Sequence, residues 1–202
     1  MSEPDRSRRF QELALPHLHA AYNLARWLVR SDPDAEDIVQ EAYLRAFRFF
    51  DGFHGEDGRA WVLAVVRNTA FTWLKQRRAQ ETLPFDDEAD ADRPSATAAD
   101  ATHVDPEAIF AHHEDRRLLD AALERLPVEF REVLVLRELE ELSYREIASI
   151  AGIPIGTVMS RLARGRKLLV RCLQELDKES CNGLQRGTGV VSGSRGPGTR
   201  PA

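Results

Sequence analysis

Three groups of side chains carry types and spacings that could do chemistry. Between 161 and 171 lie Arg161, Arg164, Arg166, Lys167 and Arg171 with no acidic residue among them. Such a stripe suits phosphates, and Thr157 and Ser160 just before it stand where a recognition helix reaches base edges in the major groove. A second group interleaves Trp61, Phe71 and Trp73 with Arg67, Lys75, Arg77 and Arg78, again without an acid from 59 to 78. Aromatic faces stack on unpaired bases while cations follow the backbone, which is how single strands are held. The third is Asp37, Gln40 and Glu41, within a single helical turn. These could be acid/base machinery, a metal site or a docking surface, but no His, Cys or further carboxylate is placed to complete a reactive site. Each group also has a plainer account: the outside of a helical bundle, a buried aromatic core, a solvated helix start.

The elements that must position these residues read as helices. Ser143 followed by Glu146 is a capping box; Ile147, Ala148 and Ala151 give a short apolar face. Gly152 supplies a left-handed stop, and Pro154 has its φ already set for the next start, so residues 143–171 form a helix-turn-helix. At about 100° per residue, Val158, Leu162 and Leu169 of its second helix face the core. Upstream, residues 13–29 repeat Leu15, Leu18, Ala21, Tyr22, Ala25 and Leu28 at helical spacing. Asp32 is the expected cap of the following helix, with Pro33 first inside it and Asp34, Glu36 and Asp37 suiting the positive dipole end. Its buried stripe is Val39, Ala42, Tyr43, Ala46, Phe47 and Phe50. Residues 51–59 (DGFHGEDGR) form a loop, and 60–78 the aromatic and basic helix. Further on, Ile109, Leu118, Leu119, Ala122, Leu123 and Leu126 line a helix that Pro127 breaks; Phe130, Val133, Leu134 and Leu136 carry the next one.

Composition bounds what surrounds them. At 202 residues, 43% hydrophobic and 30% charged, the chain allows one ordinary domain or two small ones. A net charge of −5 means that any nucleic-acid surface is local. Residues 79–106 hold eight acids and one base, −7, leaving +2 for the remainder, so they read as an acidic linker between two modules that each carry a basic helix. Residues 1–12 are expected to fray, and the glycine-rich 178–202 to be disordered. Cys172 and Cys181 lack metal spacing, His112 and His113 point about 100° apart, and no signal peptide or membrane span is evident. The expectation is a cytoplasmic protein with no metal and no cofactor.

Three motifs in order, DAEDIVQEAYLRAF from Asp34, WVLAVVRNTAFTWLKQRR from Trp61 and LPVEFREVLVLRELEELSYREIASIAGIPIGTVMSRLARGRKLL from Leu126, closely resemble bacterial RNA polymerase sigma factors of the small extracytoplasmic-function group. The resemblance spans about residues 10–78 and 107–175. It implies an all-α protein of two small helical domains, 13–78 (region 2-like) and 107–177 (region 4-like, with the helix-turn-helix), joined by the flexible linker 79–106. Such a protein binds core RNA polymerase, directs it to promoters and helps open them, catalysing no reaction itself. The implied partners are the β′ clamp helices and β flap of the polymerase, promoter DNA and, as is common in the group, an anti-sigma factor. Asp37, Gln40 and Glu41 would face the clamp helices. The separated minus-ten strand would meet Phe53, His54, Arg59, Trp61, Arg67, Asn68, Trp73, Lys75 and Arg78. Thr157, Ser160, Arg161, Arg164 and Lys167 would meet the minus-thirty-five duplex. Many relatives carry a polar or acidic residue where Ile155 stands and a Lys where Met159 stands, so base preference does not carry over.

Overall fold

The computed structural model describes residues 3–55, 57–81 and 106–186. The linker and most of the glycine-rich tail discussed above lie outside the described residues. Eight α-helices order the described chain: α1 Glu3–Ala14, α2 Leu18–Val29, α3 Asp32–Arg48, α4 Gly58–Glu81, α5 Pro106–Arg125, α6 Val128–Leu134, α7 Tyr144–Ala151 and α8 Ile155–Arg186.

The N-terminal module packs α2, α3 and α4 around Leu24, Leu28, Ile38, Val62, Leu63 and Val66. Two expectations fail at its start. Residues 3–12 do not fray: they belong to α1, whose Phe10 is buried edge-on against Phe47 and Phe50 at 5.1 and 5.4 Å. Arg6 lies over the Phe47 ring, donates to the Phe47 carbonyl at 2.6 Å and pairs with Asp51. Nor do residues 13–29 form one helix, because Pro16 lacks an amide hydrogen and forces a short 3-10 turn at Leu15–His17. Leu15 and Leu18 consequently stand 51% and 44% exposed instead of facing the core. The α3 cap also shifts by one residue. Ser31 Oγ accepts from the Asp34 amide, while Asp32 turns back to pair with Arg26 at 2.8 Å.

In the C-terminal module, α5 to α8 enclose Leu126, Leu136, Leu142, Ile147, Val158 and Leu162. The capping box forms as expected: the Ser143 amide donates to Glu146 Oε2 at 2.7 Å and the Glu146 amide to Ser143 Oγ at 3.3 Å. Those bonds hold the Glu146 carboxyl below the ordinary glutamate range. Gly152 ends α7 at φ +65°. Gly165 lets α8 lie close on α6, since a Cβ there would sit 3.2 Å from Leu134 Cδ1. The last helix passes the expected boundary at 177 and runs to Arg186, with Glu179 bonded to Arg125 of α5 at 2.8 Å.

The two modules are packed together, α4 on α7 and α2 on α6. Arg30 donates to the Leu126 carbonyl at 3.5 Å and Asn23 to Glu140 Oε1 at 3.4 Å across this interface.

Candidate nucleic-acid interface

Pro154 positions the start of α8 by accepting from the Thr157 and Val158 amides with its carbonyl. With Val158, Leu162 and Gly165 buried, the helix turns Ile155, Met159, Ser160, Arg164, Lys167 and Arg171 to solvent. Thr157 is half-buried, and the Ser160 hydroxyl donates to its carbonyl at 3.0 Å. Two of the basic residues are engaged elsewhere. Arg166 pairs with Glu138 at 2.7 Å, and Arg161 leans toward Glu132 with 3.9 Å between charged atoms.

On the N-terminal module, the residues expected at single-stranded DNA divide along α4. Phe53 stacks on Trp61 with ring centroids 4.6 Å apart. His54 is exposed beside them, at the rim of an open cleft that Arg9, Glu12, His17, Phe50 and Gly58 also line. Burial, and then the nearby charge of Arg59, holds His17 below its ordinary value. Asn68, Lys75 and Arg78 are exposed and Trp73 half-buried with Arg77 over its ring. Arg59 and Arg78 are separated by roughly 28 Å of helix at 1.5 Å per residue, so these positions form a track and not a pocket.

Arg59 and Arg67 do not point along that track. Arg59 donates to Glu140 Oε2 at 2.8 Å and to the Glu140 carbonyl at 2.9 Å. Arg67 lies over the Phe71 ring and donates through Nε to Glu132 Oε1 at 2.6 Å. Glu132 is fully buried, and burial pushes its carboxyl up against the opposing pull of Arg67 and Arg161. The structure therefore brings Arg67 and Arg161, one expected at each DNA element, onto a single carboxylate.

Asp37, Gln40 and Glu41 are all exposed on one side of α3, where Glu41 pairs with Arg45. Leu44, 63% exposed, continues the same side one turn on, and Phe49 follows at 69%. Leu44 could have been found by extending the i, i+3, i+4 pattern of that face; the part played by Arg9, Glu12 and His17 in the cleft had no signal in spacing. Among the described residues no cluster of three His, Cys, Asp or Glu could hold a metal, and no helix is long and apolar enough to cross a membrane.

Comparison with known proteins matches residues 13–80 to the family model for sigma-70 region 2 and residues 116–169 to that for sigma-70 region 4. An ECF RNA polymerase sigma factor, SigE of Mycolicibacterium smegmatis, is 36% identical over 166 residues, 79% of this chain and 60% of that protein. The ECF RNA polymerase sigma-E factor of Escherichia coli is 32% identical over 168 residues, 83% of this chain and 87% of that one. The chain thus spans less than two thirds of the first relative and most of the second. Among solved structures, the sigma factor RpoE from Bartonella quintana, in complex with the anti-sigma factor NepR, superposes with a TM-score of 0.62 at 28% identity, covering 81% of this chain and 95% of that one. CnrH, solved with the cytosolic domain of CnrY, shares the fold with a TM-score of 0.55 at 23% identity, over 84% and 90% of the two chains.

Proposed function

Because the chain belongs to the extracytoplasmic-function group of RNA polymerase sigma factors, we propose that it binds core polymerase in the cytoplasm, guides it to a subset of promoters and helps open them without catalysing a reaction. The observation that carries this reading is the pairing, in one chain, of a solvent-facing acidic side on α3 with a basic recognition helix in a helix-turn-helix.

Asp37, Gln40 and Glu41 take the β′ clamp helices, and the C-terminal module meets the β flap. Opening a duplex costs a few kcal/mol per unstacked base, which a ready cleft and stacking surface offset. Phe53 and His54, at the cleft, with Trp61 stacked on Phe53, receive an unstacked minus-ten base. Asn68, Trp73, Lys75 and Arg78 follow the strand; Arg59 and Arg67 join them once Glu140 and Glu132 release them. Arg161, Arg164 and Lys167 hold the minus-thirty-five duplex, with Thr157 and Ser160 at its base edges. The Bartonella relative was solved with an anti-sigma factor, and we assign this chain a partner of the same class.

The test is reconstitution. The purified chain should bind core polymerase stably and confer transcription from a promoter found upstream of transcripts induced by its overexpression. Failure of both ends the proposal, and binding of a duplex operator by the chain alone, as a dimer, would favour an ordinary helix-turn-helix regulator instead.

A further inference from the structure

The first turns of α8 present an unusual surface for a helix that reads bases. Ile155 is 40% exposed and Met159 51% exposed, one turn apart on the same flank. Beside them Gly156 has open space, for a Cβ built there would meet nothing within 4 Å. DNA can therefore approach the backbone here closely.

From Gly152 to Ser160 the chain contains no Arg, Lys, Asn, Gln, Asp or Glu. That absence removes most of the major-groove code. Bidentate recognition of guanine takes Arg or Lys, that of adenine takes Asn or Gln, and cytosine N4 needs a carboxylate acceptor. The hydroxyls of Thr157 and Ser160 serve any base, and that of Ser160 is already donated to the Thr157 carbonyl. What these turns can still offer is apolar contact. In the major groove the base-edge group of that kind is the C5 methyl of thymine.

We propose that Ile155 and Met159 select thymines in the upstream promoter element by packing on their methyl groups. This rests on the reading of α8 as the helix that enters that element. The occupant is DNA and not another protein because the neighbouring, solvent-facing side of the same helix carries the exposed cations Arg164, Lys167 and Arg171, whose charge suits phosphates. Positioning comes from those cations deeper in the helix, and sequence selection from the uncharged first turns.

The experiment uses holoenzyme assembled from core polymerase and the full chain. Selection from a randomised upstream element is done first; enrichment of no sequence at all would sink the reading of α8 itself. Given an enriched element, each thymine is replaced by deoxyuridine, which removes only the methyl. Affinity should fall about fourfold at one or two positions, the worth of one buried methyl-sized group. In Ile155→Ala and Met159→Ala holoenzymes the corresponding deoxyuridine penalty should vanish while core binding is unchanged. Both side chains are exposed, so these substitutions leave the core intact. Overall selection with no deoxyuridine penalty anywhere would overturn the proposal. So would a penalty that persists undiminished in both variants, which would place its origin in DNA shape, or a loss of core binding, which would make the patch a polymerase contact.

Discussion

Truncating Arg67 should do more damage than its partial exposure suggests. Its Nε bonds Glu132 Oε1 at 2.6 Å, while Glu132 Oε2 has no hydrogen-bond partner and faces Arg161 across 3.9 Å. Arg67→Ala thus leaves a fully buried carboxylate facing one distant guanidinium. Breaking a buried pair from one side costs about 3–5 kcal/mol at fixed structure. Two routes relieve it: the carboxyl takes up a proton, or the modules part and water reaches it. The second caps the loss at the free energy of module docking, so a variant that stays folded but opens is an expected form of the damage. The assay is a double-mutant cycle of Arg67→Ala and Glu132→Ala in urea, with small-angle scattering to follow opening. The coupling expected for a hydrogen bond between charged groups is about 1.5–3 kcal/mol. The pH dependence follows in sign. Burial raises the folded Glu132 value above the ordinary 4.5. Between that and the raised value the native state holds a proton that the unfolded chain has lost, so stability falls as pH rises through the window. Glu132→Gln should remove that slope. A coupling below about 0.5 kcal/mol, with an unchanged pH profile, would refute the reasoning.

Other outcomes are expected from the same geometry. Arg67 cannot hold Glu132 and a DNA phosphate at once, so E132Q should raise the isolated chain's affinity for single-stranded minus-ten DNA, measured by fluorescence anisotropy against salt. Arg161→Ala and Arg164→Ala should each weaken upstream-element binding about uniformly across sequences and lower its salt dependence, as the loss of a phosphate contact does; unchanged footprints would remove that role. Charge reversal at Asp37 and Glu41 should lower affinity for core polymerase in a pull-down with no change in circular dichroism. Ser143→Ala should cost roughly 1 kcal/mol of stability, because the Glu146 amide loses its cap.

Local chemistry was legible where it closes on itself within a few residues. The Ser143 and Glu146 cap, the Gly152 stop and the burial of Val158 and Leu162 on α8 all follow from spacing and are present in the structure, while Leu169, expected on the same stripe, is only half-buried. Misreadings arise where one residue's constraint outweighs a pattern. Pro16 breaks a helix that the apolar repeat alone would continue, and Ser31 takes the cap because Asp32 is drawn to Arg26. Residues 3–12 look too polar to fold, yet Arg6, Phe10 and Ala14 recur at four-residue intervals and pack against α3. Their burial depends on a neighbour that periodicity does not reveal.

The charge reading has a deeper limit. A basic residue in a sequence declares its sign but not its partner, and the partners of Arg59 and Arg67 stand 81 and 65 residues away. Glu140 and Glu132 belong to the C-terminal module, whose own motifs mark them only as helix positions. Counting acids locates excess negative charge in the linker and leaves the rest of the chain near neutral. It does not reveal that two of the remaining carboxylates are buried or nearly so at 0% and 6% exposure, where they occupy guanidiniums otherwise suited to DNA. A buried carboxylate between two arginines presents oxygen and negative charge much as a phosphate would. The arrangement of the modules therefore decides which of the two the arginines hold.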